Sequence, residues 1–560
     1  MVRRAFATIG GSRTLTVPGL ALLVLSLFAA IGWAAGANSS QPLALTPPMG
    51  WNDWAHYQCG FTEQTILNNA KALVSTGLAA RGYDTVTIDD CWMLKTRDAV
   101  GNLQPDPERF PHGMKPVADA IHGMGLKFGI YEDAGYETCG KFAGSGQPKG
   151  GGKDHFAQDA RLFALWGVDY LKLDGCNVYA PAGSDENSAY RKAYAAENAA
   201  LKSTGRPIVF SESAPAYFEF RPEWYDVLTW VRDYGQLWRE GDDMANFHAQ
   251  NADRSRFQSV LWNYAYNLPL GRFQKPGNWD DADFIIGGDS GMSMAETRSQ
   301  MALWAMMSAP LILSSDVSKL SPEAIEILGN QAVIAIDQDA LGQMATLVRR
   351  TPAVDVLFKP LKSGEYAVAA LNRSDATAQI QIEPTELGFA ANGSCKLDAQ
   401  ELWNGERQSG LSDLQADVAA HDIAIWHVRP STECGARTRT GTIVMTAGRA
   451  AGSINGYAHC LAATGRAEEC VGTAAEAWTV TDRGELRSGE ECLAAVRDMA
   501  VMQRCDDGAA QRWNYTLAGN LKNAGDKECL SSDAANSAEE SVSMQPCGHH
   551  LLNQIWSLPN

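Results

Sequence analysis

Along residues 170–177, YLKLDGCN, apolar and polar side chains alternate with the two-residue period of a β-strand. Leu171 and Leu173 share one face, while Tyr170, Lys172 and Asp174 share the other. A lysine and an aspartate aimed into one space mark either a site or an internal ion pair. Similar runs recur: TVTID (85–89), KFGIY (127–131), DYLKLD (169–174) and PIVFS (207–211) are strand-like, and helix-period segments at 62–79, 113–124, 154–166 and 187–204 separate them. This alternation across 44–345 predicts a parallel sheet with covered faces. About eight such units give an α/β fold of the (β/α)8 TIM-barrel type, although strands between 221 and 290 can be placed only loosely. Polar residues gather at the strand ends: Asp89-Asp90, Tyr131-Glu132-Asp133, Asp174 and Ser211-Glu212. Barrel chemistry sits at those ends, so they predict a catalytic mouth.

From 346 to 430 the period changes. VDVLFKP, EYAVAALN, AQIQIE and DIAIWHV alternate between turn residues, which predicts an antiparallel β-sandwich domain. PSTECGARTRTGT, 430–442, reads as a linker (431–444) to a last domain over 445–560. That domain repeats internally. CLAA at 460, CLAAV at 492 and CLSS at 529 each precede a second cysteine and a tryptophan, giving Cys460, Cys470 and Trp478, then Cys492, Cys505 and Trp513, then Cys529, Cys547 and Trp556. Gln511-Arg512-Trp513 and Gln554-Ile555-Trp556 fit a Gln-x-Trp pattern, whereas the first repeat has Glu476-Ala477-Trp478. The segment resembles a ricin-type β-trefoil, which implies one short disulfide per lobe and a possible carbohydrate-binding module. Lectin lobes place an Asp close to the CL motif; these three lack it, and Trp and Gln in the pattern are core residues.

The 560 residues carry a net charge of -18 with pI near 5.0, which argues against nucleic acid or an anionic membrane as a partner. Arg3 and Arg4, the apolar run Leu20–Trp33 and Ala35-Gly36-Ala37 read as a signal peptide over 1–37. At 14 residues the run is shorter than the roughly 20 that span a bilayer. The expected mature chain is secreted or periplasmic, with no membrane segment. Twelve cysteines in an exported chain favour disulfides, and without CxxC pairs or zinc-spaced histidines no metal and no cofactor is expected. Asn372, Asn392 and Asn514 sit in acceptor sequons.

PPMGWNDW, IDDCW, RFPHGM, GIYEDAG, YLKLDGC, LWREGDDM, GNWDDADF and MALWAMMSAPLILSSD occur in this order over 44–345. In their order and spacing they resemble glycoside hydrolase family 27, the α-galactosidase and α-N-acetylgalactosaminidase group of clan D. The resemblance implies a retaining exo-glycosidase acting through a covalent intermediate, with Asp174 as nucleophile. Such chemistry needs two carboxyl groups about 5–5.5 Å apart. The family's acid/base lies four residues after an arginine, which from Arg239 gives Asp243, not Asp242. Asp243 is then expected to be protonated by desolvation and by the charge of Asp174. Lys172 is expected to hold Asp174 ionised and to bond a substrate hydroxyl. The resemblance further implies Asp89 and Asp90 as acceptors for the C4 and C6 hydroxyls, Trp54 as an apolar wall, and Tyr131, Tyr217, Arg239 and Cys139 as further substrate contacts. Trp51 is expected in the core. Asp283 matches a position near C2, and Asp281 is expected to be structural. The family pairs Cys59 with Cys91 and Cys139 with Cys176; parity alone pairs Cys395 with Cys434.

In the family the loop after strand five separates the two activities, a bulky Glu and Leu in galactosidases, Ser and Ala in N-acetylgalactosaminidases. Aligning SESAPAYF on its proline places Ser213 and Ala216 there, the small pair, while one gap would instead use Glu212. The expected substrates are α-galactoside oligosaccharides or polysaccharides, with α-N-acetylgalactosaminidase and then β-L-arabinopyranosidase as alternatives. An inactive carbohydrate-binding protein is the reading from a different class.

Overall fold

Eight strands run parallel: β1 (Met49–Asn52), β2 (Thr85–Ile88), β3 (Lys127–Asp133), β4 (Tyr170–Asp174), β5 (Val209–Glu212), β6 (Leu237–Arg239), β7 (Trp279–Asp281) and β8 (Leu311–Leu313). Sequence neighbours pair from β1 to β7, and β8 returns to pair with β1. Ile285 closes the last seam: its N–H donates to the Ile312 carbonyl at 2.8 Å and its carbonyl accepts from the Ser314 N–H at 2.9 Å. The sheet is therefore a closed barrel without an edge. This computed structural model describes residues 42–244, 256–289, 291–390, 393–445, 459–532, 539–548 and 551–560. The signal-peptide reading of 1–37 and the Asn392 sequon lie outside the described residues. Among the described residues no helix is long and apolar enough to cross a membrane.

Helices Glu63–Ser75, Met114–Gly123, Phe156–Trp166 and Glu186–Ser203 separate the early strands. In the third, Phe156, Asp159, Ala160 and Phe163 form the buried stripe, and Gly167 ends the helix at φ 88°, a left-handed conformation that glycine takes without steric cost. β6 and β7 were hard to place because each has only three residues and carries charge. Helix Met294–Met307 is buried almost all round, because the barrel covers one side and the next domain the other.

That domain is a sandwich of β9 (Thr346–Arg350), β10 (Val354–Pro360), β11 (Tyr366–Asn372), β12 (Ala378–Ile382), β13 (Leu397–Glu401), β14 (Arg407–Leu411), β15 (Leu414–Val418) and β16 (Ile423–Pro430). One sheet runs β14-β13-β16-β11-β10-β9, and β12 pairs with β15. Lys359 of β10 anchors it to the barrel: its ammonium donates to Ala305 O, Ser308 Oγ and Ile336 O at 2.6–2.8 Å, at the C-terminal ends of two helices, where positive charge is favoured. The Asn372 side chain is fully buried and donates to three carbonyls, so its sequon is closed to modification in the folded chain, whereas Asn514 is exposed.

The C-terminal domain repeats one device three times. Trp478, Trp513 and Trp556 donate their indole N–H groups to the carbonyls of Leu461, Leu493 and Leu530 at 2.7–3.0 Å. Disulfides Cys460–Cys470, Cys492–Cys505 and Cys529–Cys547 staple the lobes. The stretch read as a linker is anchored. Cys434 is bonded to Cys395, and strand Arg439–Gly441 pairs with Trp478–Val480. Arg272 of the barrel donates to the carbonyls of Leu517 and Ala518, holding the trefoil against it.

Candidate active site

Register sets the site. Tyr131 of β3 lies beside Lys172 of β4, and Asp133 beside Asp174. Tyr170 and Lys172 line a small cavity of about 10 Å³ inside the barrel with Asn52, Thr87, Ser211, Arg239 and Asp281, and Asp174, on their face, stands above it at the mouth. Asp174 accepts from Tyr131 OH at 3.1 Å, from Tyr217 OH and from its neighbour Gly175 N–H at 2.9 Å. Burial, reinforced by the charge of Asp174, holds both phenols well above the usual tyrosine range, so they stay donors. Tyr131 is 1% exposed with its hydroxyl on Asp174, so it positions that carboxylate.

Lys172 takes a partner other than the expected one. Its ammonium donates to Asp89 Oδ2 at 2.7 Å, and that oxygen also accepts from Asn52 Nδ2 at 2.8 Å. Burial opposes the lysine's charge, but Asp89, then Asp174 and Asp243, outweigh it and lift Lys172 above the usual range. One ammonium thus feels carboxylates from three strand ends.

Asp243 follows β6. Its Oδ1 lies 3.1 Å from Arg239 Nη2, and Arg239 Nη1 lies 2.9 Å from Asp283 Oδ1. The desolvation expected around Asp243 is not present: the side chain is 61% exposed, because it sits on a loop beyond the barrel wall. Asp242 turns away, its Oδ2 accepting from Trp262 Nε1 at 3.0 Å. Asp283, expected near the sugar, is 2% exposed, pairs with Arg239 and accepts from Met244 N–H; it orients the arginine. Its backbone has φ 73°, in the left-handed region that aspartate tolerates better than most residues. Asp281 is buried beneath it and accepts from Asp283 N–H.

Asp90 accepts from Gly140 and Cys91 N–H groups at 2.7 and 2.6 Å, and burial raises it to about 6. Trp54 is half-buried, whereas Trp51 is fully buried with its indole on Ser315 O. The sequence reading passed over Asn52. Its amide donates to Asp89, and its own oxygen accepts from Trp54 N–H at 2.8 Å, joining the tryptophan to the acidic pair. Asp53, equally unremarked, accepts from Asp89 N–H at 2.8 Å. The two-residue period of PMGWND gave the only hint, since Gly50 and Asn52 share the inward face.

Two acids counted toward the mouth face away. Glu132 and Glu212 alternate with Tyr131 and Ser211, so they point outward between sheet and helices and are fully buried. Burial raises both well above the usual range. Glu212 sits beside Gly235, so the gapped alignment that would put it in the pocket is excluded. Ser213, Ala216 and Tyr217 lie on the turn after β5, with Ser213 4% exposed and Ala216 half-buried.

Cys59 is joined to Cys91, and Cys139 to Cys176. The second disulfide borders the site: Cys139 Sγ is 3.6 Å from Asp174 Oδ2, and Cys176 Sγ is 3.1 Å from Tyr217 OH. Asp133 and Asp174 stand close to both sulfurs, but those are bonded to each other, which leaves only carboxylates to a cation.

A family profile described as alpha galactosidase A matches residues 46–339, more than half of the chain. The chain belongs to this family. It is a glycoside hydrolase. Profiles for an alpha galactosidase C-terminal beta sandwich domain and a ricin-type beta-trefoil lectin domain match 351–428 and 450–556. Alpha-galactosidase A of Aspergillus niger is 36% identical over 552 residues, 96% of each chain. Among solved family structures, alpha-galactosidase I of Mortierella vinacea superposes with a TM-score of 0.61 at 30% identity, covering 70% of this chain and 98% of its own. The alpha-galactosidase of Saccharomyces cerevisiae, solved with raffinose, gives 0.59 at 26% identity with the same coverage.

Proposed function

We propose that the protein is a secreted, retaining exo-α-galactosidase in which Asp174 attacks the anomeric carbon and Asp243 serves as acid and then base. The observation that carries this reading is the convergence of three charges: Asp174 and Asp243 both act on the Lys172 ammonium, which itself lies on Asp89. Asp174 attacks as a carboxylate aligned by two phenols and a backbone N–H. Asp243 gives its proton to the leaving oxygen, then takes one from water that cleaves the glycosyl ester. Asp89 and Asp90 receive sugar hydroxyls at the pocket floor, and the half-buried Trp54 offers the apolar wall. Raffinose in the yeast structure and the full-length Aspergillus relative support galactose as the glycon.

One observation favours a second reading. Glu212 lies beside Gly235, and alignment on the proline sets the small pair Ser213 and Ala216 at the positions of the family's bulky pair, which would leave room for an acetamido group. Nitrophenyl α-galactoside and nitrophenyl α-N-acetylgalactosaminide, assayed side by side with wild type and Asp174→Ala, test both. Release from the galactoside alone, lost in the variant, supports the first reading; release from the acetamido sugar alone overturns its substrate; binding of galactose without turnover of either overturns the enzyme reading.

A further inference from the structure

Asn263 joins two loops that the reaction needs in register. It lies on helix Arg256–Asn267 and is fully buried. Its side-chain amide nitrogen donates to Asp242 O and to Ala282 O, each at 3.1 Å. Both partners are carbonyl oxygens, which only accept, so their chemistry fixes which end of the amide faces them. The residues that follow these carbonyls are Asp243 and Asp283, the two carboxylates that flank Arg239 at 3.1 and 2.9 Å. Two more donors meet at Asp242 O: Arg239 Nη2 at 3.0 Å and Tyr266 OH at 3.3 Å. Tyr266 stands three residues beyond Asn263 on the same helix, a spacing that makes them neighbours on one face. The helix is itself held from the sandwich, where Tyr264 OH donates to the buried Asp355 Oδ2 at 3.2 Å.

Asp243 depends on its backbone for placement, because its side chain is 61% exposed and sits on a loop beyond the barrel wall. Packing does little to hold such a carboxyl, and an error of about 1 Å at a reacting group can cost about 10²-fold in rate. We propose that Asn263 is a positioning residue for the acid/base: by tying Asp242 O to Ala282 O it fixes the loop from which Asp243 reaches the leaving oxygen. Without the amide, two buried carbonyls would lose a donor and turn to other partners, and the loop would turn with them. Asn263 acts through Asp242 and does not itself meet the reacting atoms. The inference rests on the assignment of Asp243 as acid/base and extends the machinery to a helix behind the mouth.

The test compares two galactosides whose leaving groups differ in their need for a proton. An α-1,6-galactosyl glucose disaccharide releases an alkoxide that the acid must protonate, whereas nitrophenyl α-galactoside releases a phenolate that is stable as an anion. kcat/KM covers only the steps up to cleavage of the glycosidic bond, so the later role of Asp243 as base does not enter. Asn263→Leu keeps the volume and removes both donors. The ratio of kcat/KM on the disaccharide to that on the nitrophenyl substrate should fall about tenfold, a part of the roughly 10² to 10⁴ that a placed acid contributes. Asn263→Ser, whose hydroxyl serves one carbonyl, should lower the ratio about threefold, and it decides the matter if the leucine variant does not fold. An unchanged ratio, whether both rates fall together or neither moves, would overturn the positioning role, since a merely structural loss acts on both substrates alike. Asp243→Asn, run beside them, should lower the same ratio further; if it does not, the acid/base assignment fails and the inference with it.

Discussion

The barrel and the trefoil use conspicuous sequence motifs for opposite purposes. In the trefoil, what repeats is structural: each Trp closes its lobe on a Leu carbonyl, and each motif Gln or Glu binds backbone groups of its own lobe. Gln511 accepts from Asp506 N–H and donates to Arg504 O; Gln554 does the same with Gly548 and Pro546. Glu476 can only accept, and takes the N–H groups of Val471 and Gly472. In the barrel, the β/α rhythm repeats while the residues at the strand ends do not, and those unrepeated residues build the site. Repetition reports packing that must be done several times; chemistry needs each group once.

The largest test of this contrast is removal of the Asp174 carboxylate, the attacker in the proposed reaction. Asp174→Ala should lower kcat by about 10⁴-fold or more while the melting temperature stays near wild type, since Asp174 packs no core. Colour release from nitrophenyl α-galactoside and a thermal melt read both. Asp243→Asn should cost about 10² to 10⁴ in kcat, with a smaller loss on substrates whose leaving group departs without a proton. The trefoil should behave in the opposite sense. Trp513→Ala should cost about 3–5 kcal/mol of stability, read as a lower urea midpoint, and leave kcat/KM at 25 °C unchanged.

Acidity sharpens the comparison further. Burial raises Asp281 to about 7 and Asp90 to about 6, both in the barrel. Groups that bind protons more tightly folded than unfolded make the native state richer in protons between about pH 4 and 7, so stability should fall as pH rises through that window. Asp281→Asn, which keeps an acceptor for Asp283 N–H, should flatten the slope of urea midpoint against pH; an unchanged slope would count against the assignment. The smallest effect belongs to Glu476→Gln, which gives the first lobe the donor that the others have. It should shift stability by no more than about 1 kcal/mol.

Much of this was legible in one dimension. The strands up to β5, the sandwich and the three lobes follow from periods of two and from a repeated motif, both local. The acidic strand ends were legible as a group but not one by one. Counting Glu132 and Glu212 toward the mouth overlooked the alternation that had set Lys172 and Asp174 on a common face. Short β6 and β7 escaped because three residues carry too little pattern.

By itself the sequence determined where chain segments become strands and helices, which residues repeat, and which strand ends carry charge, because these depend on neighbours a few residues away. Only the tertiary structure decided that Lys172 meets Asp89, 83 residues distant, and that Asp283 is occupied in orienting Arg239. It likewise joined Trp54 to Asp89 through Asn52, and left Asp243 in solvent. The choice among several nearby carboxylates falls to whichever stands within hydrogen-bond reach, and closure of the barrel, not any local pattern, sets those distances.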